Sequence, residues 1–123
     1  MLAMSLNVID KKPAELVNYK SAQDINKFIG SRCFDIVHCK IGLFDYDIYV
    51  DDEGLLKEKP VCSVFNKDGK GVLFGNLVIS ASDDKGESRD LTIEEIGNLA
   101  DYFYMFFDLD YGFYTVLFGV NYG

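Results

Sequence analysis

The stretch from Phe44 to Asp51 alternates strictly between two kinds of side chain, and it constrains the fold more than any other part of the chain. Phe44, Tyr46, Ile48 and Val50 occupy every second position, and three of the four remaining positions hold aspartate. Successive side chains of a β-strand point to opposite faces. The pattern therefore predicts a strand with one face in a core and an acidic face in water.

The acidic face and the turn after it form the first candidate contact surface. Its members are Asp45, Asp47, Asp51, Asp52 and Glu53. Paired carboxylates serve acid–base catalysis or hold hard cations, but this spacing does not follow a calcium-binding loop, and a solvated face is the simpler interpretation. We expect these carboxylates to lie outside while the alternating apolar side chains lie inside.

The length and composition indicate one globular domain. A chain of 123 residues can bury a core without disulfides, and 49% hydrophobic with 26% charged residues is typical of a folded protein. We expect a single domain over residues 1–123. No charged leader and no long apolar run is found, so we expect a cytoplasmic protein with no membrane span.

The net charge of −8 argues against two classes of partner. Nucleic-acid backbones and anionic membranes both require clustered Lys and Arg. The acids concentrate in residues 41–60 and 83–110. Solvated loops explain this distribution, and so does a surface that binds a basic partner protein in place of DNA.

The cysteines and the lone histidine indicate no cofactor and no metal. Cys33, Cys39 and Cys62 are an odd number without a CxxC spacing, which suits a reducing compartment. His38 lies beside Cys39, but neighbouring strand residues point to opposite faces, so the two cannot act as a catalytic pair. Phosphate-loop, GxSxG and HExxH signatures are also missing, so we expect a non-enzymatic protein.

Two helices are predicted from their ends. Ser21 is the expected N-cap of a helix over 22–29, with Gly30 as its left-handed end. Thr92 and Glu95 match a capping box, which predicts a second helix over about 93–107 with Phe103 and Phe107 in the core.

The predicted strands make up the rest of the fold. A low-polarity run at 6–9 is expected as an edge strand, and 13–20 as a loop or one helical turn. The other strands are expected at 33–41, 44–51, 61–65, 72–81 and 113–120, with reversals at Gly42 and Asn66 to Gly69. The fold class predicted is α+β, a small and mostly antiparallel sheet of about five strands packed against two helices.

The C-terminal segment, about 102–123, has more aromatic residues than one helix face can bury. We expect Tyr102, Tyr104 and Phe106 to form an exposed patch for a partner or for self-association.

Four segments taken in order resemble a known family. They are FDIVHCKIG, YDIYVDDEGLLKEKPV, FGNLVISASDDKG and LTIEEI. This order is similar to the domain-of-unknown-function 3846 family, small proteins of bacteria, mostly Firmicutes, and of their phages and conjugative elements. The likeness covers residues 20–100 and includes the turn at Asp52 to Gly54 and the pair Gly75 and Asn76. The family's paired glycine is Gly30 followed by Ser31 here, and the tail from Tyr102 departs from the pattern.

The resemblance implies a fold and a setting but supplies no catalytic residues. The occurrence of that family on mobile elements implies interference with host defence, of the anti-CRISPR or antirestriction type. Our hypothesis from the sequence is an acidic domain that binds a basic protein. The alternatives are a homo-oligomeric structural or regulatory protein and an unrecognised enzyme.

Overall fold

A computed structural model describes residues 1–122 of the chain. Its helices are α1 (Ala22–Ile29) and α2 (Ile93–Ala100), and a 3₁₀ turn spans Gly54–Leu56. Its strands are β1 (Leu2–Leu6), β2 (Glu15–Asn18), β3 (Phe34–Ile41), β4 (Phe44–Asp51), β5 (Cys62–Asn66), β6 (Gly71–Phe74), β7 (Leu77–Ser82), β8 (Ser88–Arg89), β9 (Phe103–Asp108) and β10 (Gly112–Val120). The predicted α+β class is confirmed, but these strands form two sheets and not one sheet of about five.

The first sheet has the order β2-β1-β7-β4-β3, with β8 added to β7, and all its pairs are antiparallel. The hairpin of β3 and β4 forms as predicted, because Gly42 takes a φ of 60° in its turn. The N-terminal strand, by contrast, lies at Leu2–Leu6 between two neighbours and is not an edge strand. Residues 15–18 form the edge strand β2, and they are neither loop nor helix.

The inner face of β4 is the predicted one. Tyr46 and Ile48 are 1% and 0% exposed, in a core cluster that also includes Val64 and Leu117 from the second sheet. The opposite face of β4 is only partly in water, because Tyr49 is buried there against Ile25 of α1. The prediction of an acidic face fully in solvent is therefore wrong, because α1 covers part of that face.

The caps of both helices form as the sequence indicates. Ser21 accepts from the backbone N–H of Asp24, and Gly30 ends α1 at a φ of 76°. Thr92 and Glu95 form the complete capping box.

The second helix is shorter than predicted. It stops at Ala100, and residues 103–108 form β9, which pairs with β10 along its whole length. The run from Tyr102 to Phe107 has no charged face for a helix to turn toward water, and aromatic residues are enriched in strands. Tertiary pairing with β10 thus overrides the helical spacing.

The second sheet has the order β6-β5-β10-β9, and β10 runs parallel to β5. The run predicted as one strand over 72–81 is divided between the two sheets, since Gly75 takes a φ of 91° and redirects the chain. The final strand is confirmed, and the Asn66 to Gly69 turn closes β5 and β6. Within residues 1–122, no helix is long and apolar enough to cross a membrane.

A candidate binding cleft in the second sheet

The five predicted acidic residues do not form one free surface. Asp45 is exposed and lies opposite Lys40 across the β3–β4 pair. Asp47 is 8% exposed, and its Oδ1 lies 2.5 Å from Nδ1 of His38. Asp45 and Asp47 therefore each face a basic side chain of the neighbouring strand.

The other three acids lie at the end of β4 and in the turn that follows it. Oδ1 of Asp51 accepts from the Ser31 hydroxyl at 3.0 Å and from the backbone N–H of Glu53 at 2.9 Å. Its Oδ2 lies 3.6 Å from Nζ of Lys57. Asp52 and Glu53 are exposed. Only Asp45, Asp52 and Glu53 remain open to a partner.

The thiol beside His38 is not in a reactive state. Burial, followed by the nearby charges of Asp45 and Asp47, raises the pKa of Cys39 to about 11. A thiol with this pKa stays protonated at neutral pH and is a poor nucleophile. His38 itself is exposed and held by Asp47.

The aromatic residues of the C-terminal segment are distributed differently from the prediction. Tyr104 is 53% exposed, but Tyr102 and Phe106 are half-buried. The expected core position of Phe107 is wrong, because this ring is 51% exposed and packs on the equally open Phe113. The strand geometry places Phe107 opposite Phe113, whereas a helix would have turned it inward.

Phe106 lines a cleft of about 690 Å³ that we term the aromatic cleft. It is lined by the segment Lys59 to Cys62, by the rings of Phe65, Phe106, Tyr111 and Tyr114, and by the carboxylates of Asp108 and Asp110. The four rings are continuous: the centroid distances are 4.9 Å for Phe65 and Phe106, 5.7 Å for Phe106 and Tyr114, and 5.3 Å for Tyr111 and Tyr114.

The cleft is held in shape by its own polar groups. The Tyr114 hydroxyl donates to the backbone oxygen of Cys62 at 2.8 Å, which ties β10 to the start of β5. The Tyr111 hydroxyl donates to the backbone oxygens of Val8, at 2.9 Å, and Ile9. A site whose rings are fixed in advance loses little conformational entropy on binding.

The two carboxylates come from the β9–β10 turn. Oδ1 of Asp108 accepts from the backbone N–H groups of Asp110 at 2.9 Å and Tyr111 at 3.0 Å. This Asx-type turn fixes Asp108 at the rim of the cleft. Asp110 is exposed beside it.

Two carboxylates and one ammonium group line the cleft, and a second ammonium group lies beside it. Burial, together with charges nearby, raises the pKa of Tyr114 to about 12, and burial raises that of Cys62 to about 11, so both groups are neutral. The charged groups that line the cleft are Asp108, Asp110 and Lys59. The Nζ atom of Lys11 also lies 4.5 Å from the Tyr111 ring centroid, so one ring of the cleft already carries a cation–π contact within the chain.

Sequence reasoning found Phe106 but missed most of this site. The sequence predicts Val61 and Cys62 within a strand over 61–65, and it assigns no binding role to Asp108, Asp110 or Tyr111. No local pattern in the sequence marks these residues as one site, because their segments meet only when β5 pairs with β10. Within residues 1–122, no group of three or more His, Cys, Asp or Glu side chains is placed to hold a metal ion.

Comparison with known proteins gives a family and no relative of known role. No curated protein and no solved structure matches the chain significantly. A family model described as a domain of unknown function, DUF3846, matches residues 4–104. The match begins in β1, earlier than the resemblance at 20–100, and it stops at the start of β9, so Asp108, Asp110, Tyr111 and Tyr114 lie beyond it. Because the match covers most of the chain, this protein belongs to the DUF3846 family.

Proposed function

We propose that this chain is a non-catalytic protein-binding domain whose aromatic cleft takes a basic side chain from its partner. One observation carries the proposal: four linked aromatic rings and two carboxylates converge in one cleft. A guanidinium or ammonium group stacks on aromatic faces and pairs with carboxylates, so Arg or Lys fits both components at once.

The internal contact of Lys11 supports this choice of ligand. Its ammonium group lies over Tyr111, so this ring is compatible with a neighbouring cation. Arginine suits the site better than lysine, because its flat fork stacks on a ring while its N–H groups reach a carboxylate. Oδ2 of Asp108 is the acceptor we assign to it, since Oδ1 is used by the turn.

The charge of the whole chain supports the same class of partner. A net charge of −8 attracts a basic protein over distances of about 10 Å at ordinary salt. The exposed acids Asp45, Asp52 and Glu53 add to this field, so their proposed role is to accelerate encounter and not to fill a pocket.

The biological setting we propose is inhibition of a host-defence protein, of the anti-CRISPR or antirestriction type. Such a target presents a basic surface for nucleic acid, and an acidic protein competes with the nucleic acid for it. This setting is tested by the plating efficiency of a phage on restricting cells. Cells that express the wild-type chain are compared with cells that express a variant whose cleft is altered.

The cleft itself is tested with blocked peptides of the form Gly-Ser-Gly-X-Gly-Ser-Gly, in which X is Arg, Lys, Leu or Glu. Binding to the full chain is followed by NMR shifts of Phe106, Tyr111 and Tyr114. We expect the Arg peptide to bind most tightly, the Lys peptide next, and the Glu peptide not at all. Salt should weaken the binding, since charge contributes to it.

The informative variant is Asp108→Asn. Asparagine keeps the oxygen that the turn requires and removes the charge, so the fold is preserved. We expect about a 10-fold loss of affinity for the Arg peptide, roughly 1.4 kcal/mol. The exposed Asp84→Asn is the matched control and should change little. Equal binding of the Arg and Leu peptides, or shifts away from the cleft, would overturn the proposal.

A further inference from the structure

The outer edge of β9 offers unpaired backbone groups along an apolar strand. The backbone N–H of Phe118 donates to the backbone oxygen of Tyr102 at 2.9 Å. With the register of β9 and β10, this bond shows which opposed residues of the two strands are hydrogen-bonded. Directly opposed residues of an antiparallel pair alternate between bonded and non-bonded. Tyr104 and Phe106 therefore bond to β10, while the N–H and C=O groups of Phe103, Met105 and Phe107 point away from the sheet. No strand within residues 1–122 lies on that side.

This edge lacks the features that keep strands from joining. Residues 103–107 read Phe-Tyr-Met-Phe-Phe, without lysine, proline or glycine, and the strand has no bulge against β10. Met105 is 67% exposed and Phe107 is 51% exposed. Soluble proteins usually protect such edges with charge, proline or a covering segment.

We propose that β9 pairs with β9 of a second copy of this chain, antiparallel about a two-fold axis at Met105. In this register Met105 faces Met105 of the partner subunit, and Phe103 faces Phe107 of the partner subunit. All three residues have outward backbone groups, so every opposed pair of this set exchanges both hydrogen bonds. The two small sheets become one continuous sheet through an isologous interface.

The same register matches the side chains on both sides of the sheet. Tyr104 lies opposite Phe106 of the partner subunit at a non-bonded position, where Cα atoms approach to about 4.5 Å and aromatic pairs are favourable. On the other side, Met105 and Phe107 meet their counterparts beside the exposed Phe113. The edge is thus complementary to itself in backbone and in side chains.

The charges are arranged so that they do not oppose the pairing locally. Asp108, the charged residue of β9, lies opposite Tyr102 of the partner subunit, so no carboxylates face each other. Each copy nevertheless carries a net charge of −8, and two such copies repel at long range. Salt should therefore strengthen the dimer, opposite to its effect on the cleft's ligand.

The dimer is tested by sedimentation of the full chain over a range of concentrations and at low and high salt. We expect a dimer that tightens with salt. Met105→Lys places two ammonium groups opposite each other at the axis, so it should give a monomer, and Met105→Glu should do the same. The control is Ile36→Lys, which puts the same charge on the exposed edge of β3 and should leave the dimer intact.

Residue-level hydrogen exchange reports the pairing itself. In the dimer, the amides of Phe103, Met105 and Phe107 should be protected; in Met105→Lys, those of Phe103 and Phe107 should exchange fast. Tyr104 and Phe106 should be protected in both forms, because they bond to β10 of their own chain. A chain that is monomeric at every concentration, a dimer that survives Met105→Lys, or rapid exchange at these three amides in the dimer overturns the inference.

The result is separable from the proposed function. The dimer is measured without peptide, and the peptide titration is repeated on Met105→Lys. If the chain is monomeric but still binds the Arg peptide, only the dimer proposal is overturned. If the chain forms the dimer but does not bind the peptide, only the cleft proposal is overturned.

Discussion

β3 and β9, one edge strand from each sheet, differ in how they are protected against pairing with another strand. The β3 edge carries Asp35, His38 and Lys40, all exposed, and the backbone oxygen of Lys40 already accepts from Asn121 at 3.0 Å. The β9 edge carries aromatic residues and methionine, and its outward backbone groups have no partner in the described chain. The same molecule thus blocks association at one edge and leaves it open at the other, which is the basis for assigning β9 to an interface.

The largest expected difference in the free energy of unfolding is between a variant in the interior of the first sheet and one at the open edge of the second. Ile48→Ala removes a fully buried side chain from the core and should cost about 3–4 kcal/mol in the free energy of unfolding. Met105→Ala, at an exposed position, should cost less than about 0.5 kcal/mol in a monomeric background. Urea unfolding measures both. Similar losses for the two variants would remove the distinction between the regions.

A smaller effect concerns α2, which secures the first sheet. Glu95 is 3% exposed and accepts from Arg89 at 2.8 and 2.9 Å and from the backbone N–H of Thr92 at 2.9 Å. Arg89 first, then Thr92, holds the pKa of Glu95 below its ordinary 4.5, although burial acts in the other direction. Glu95→Gln should therefore cost about 1–2 kcal/mol at pH 7.

The pH dependence of that cost follows from the direction of the shift. A carboxyl whose pKa is lower in the folded chain contributes stability above its unfolded pKa and loses it as pH falls through the folded pKa. The wild-type chain and Glu95→Gln should thus begin to converge in free energy of unfolding as pH falls below about 4.5, and converge fully only below the lower folded pKa of Glu95. The exposed neighbour variant Glu94→Gln should lack this behaviour. A difference that persists unchanged to low pH would show that the Glu95 charge is not its source.

The smallest change in stability is expected when β3 is made to resemble β9. Asp35→Val with Lys40→Val keeps the net charge and should alter the free energy of unfolding by less than about 0.5 kcal/mol, because both side chains are exposed. Self-association, followed by light scattering, should nevertheless rise. Asp84→Val with Lys85→Val makes the same exchange in a loop and should stay unassociated. If both double variants behave alike, edge charge is not what protects β3.

The parts of the fold that the sequence predicts are those decided by neighbouring residues. The caps at Ser21, Gly30 and Thr92 form as expected because their hydrogen bonds close within one turn. The inward Tyr46 and Ile48 follow from strand alternation in the same way.

The parts that were wrong depend on distant partners. Residues 103–107 satisfy helical spacing, and only their pairing with β10 makes them a strand. Gly75 lies inside a run predicted as one strand over 72–81, whereas it sends the chain from one sheet to the other. The cleft could not be predicted as a unit, because Lys59 to Cys62 and Tyr111 meet only through the parallel pairing of β5 and β10, more than forty residues apart.

That parallel pairing also bears on how the protein is made. Leu117 sits beside Val64, and both are fully buried, so the hydrophobic interior stays unsealed until the ribosome has released the residues of β10. During synthesis, β5 can pair with the short β6 on one side, but the strand that pairs with its other side, β10, has not yet emerged. We expect the nascent chain to be most prone to chaperone capture at this stage, which ends when β10 emerges from the ribosome and pairs with β5.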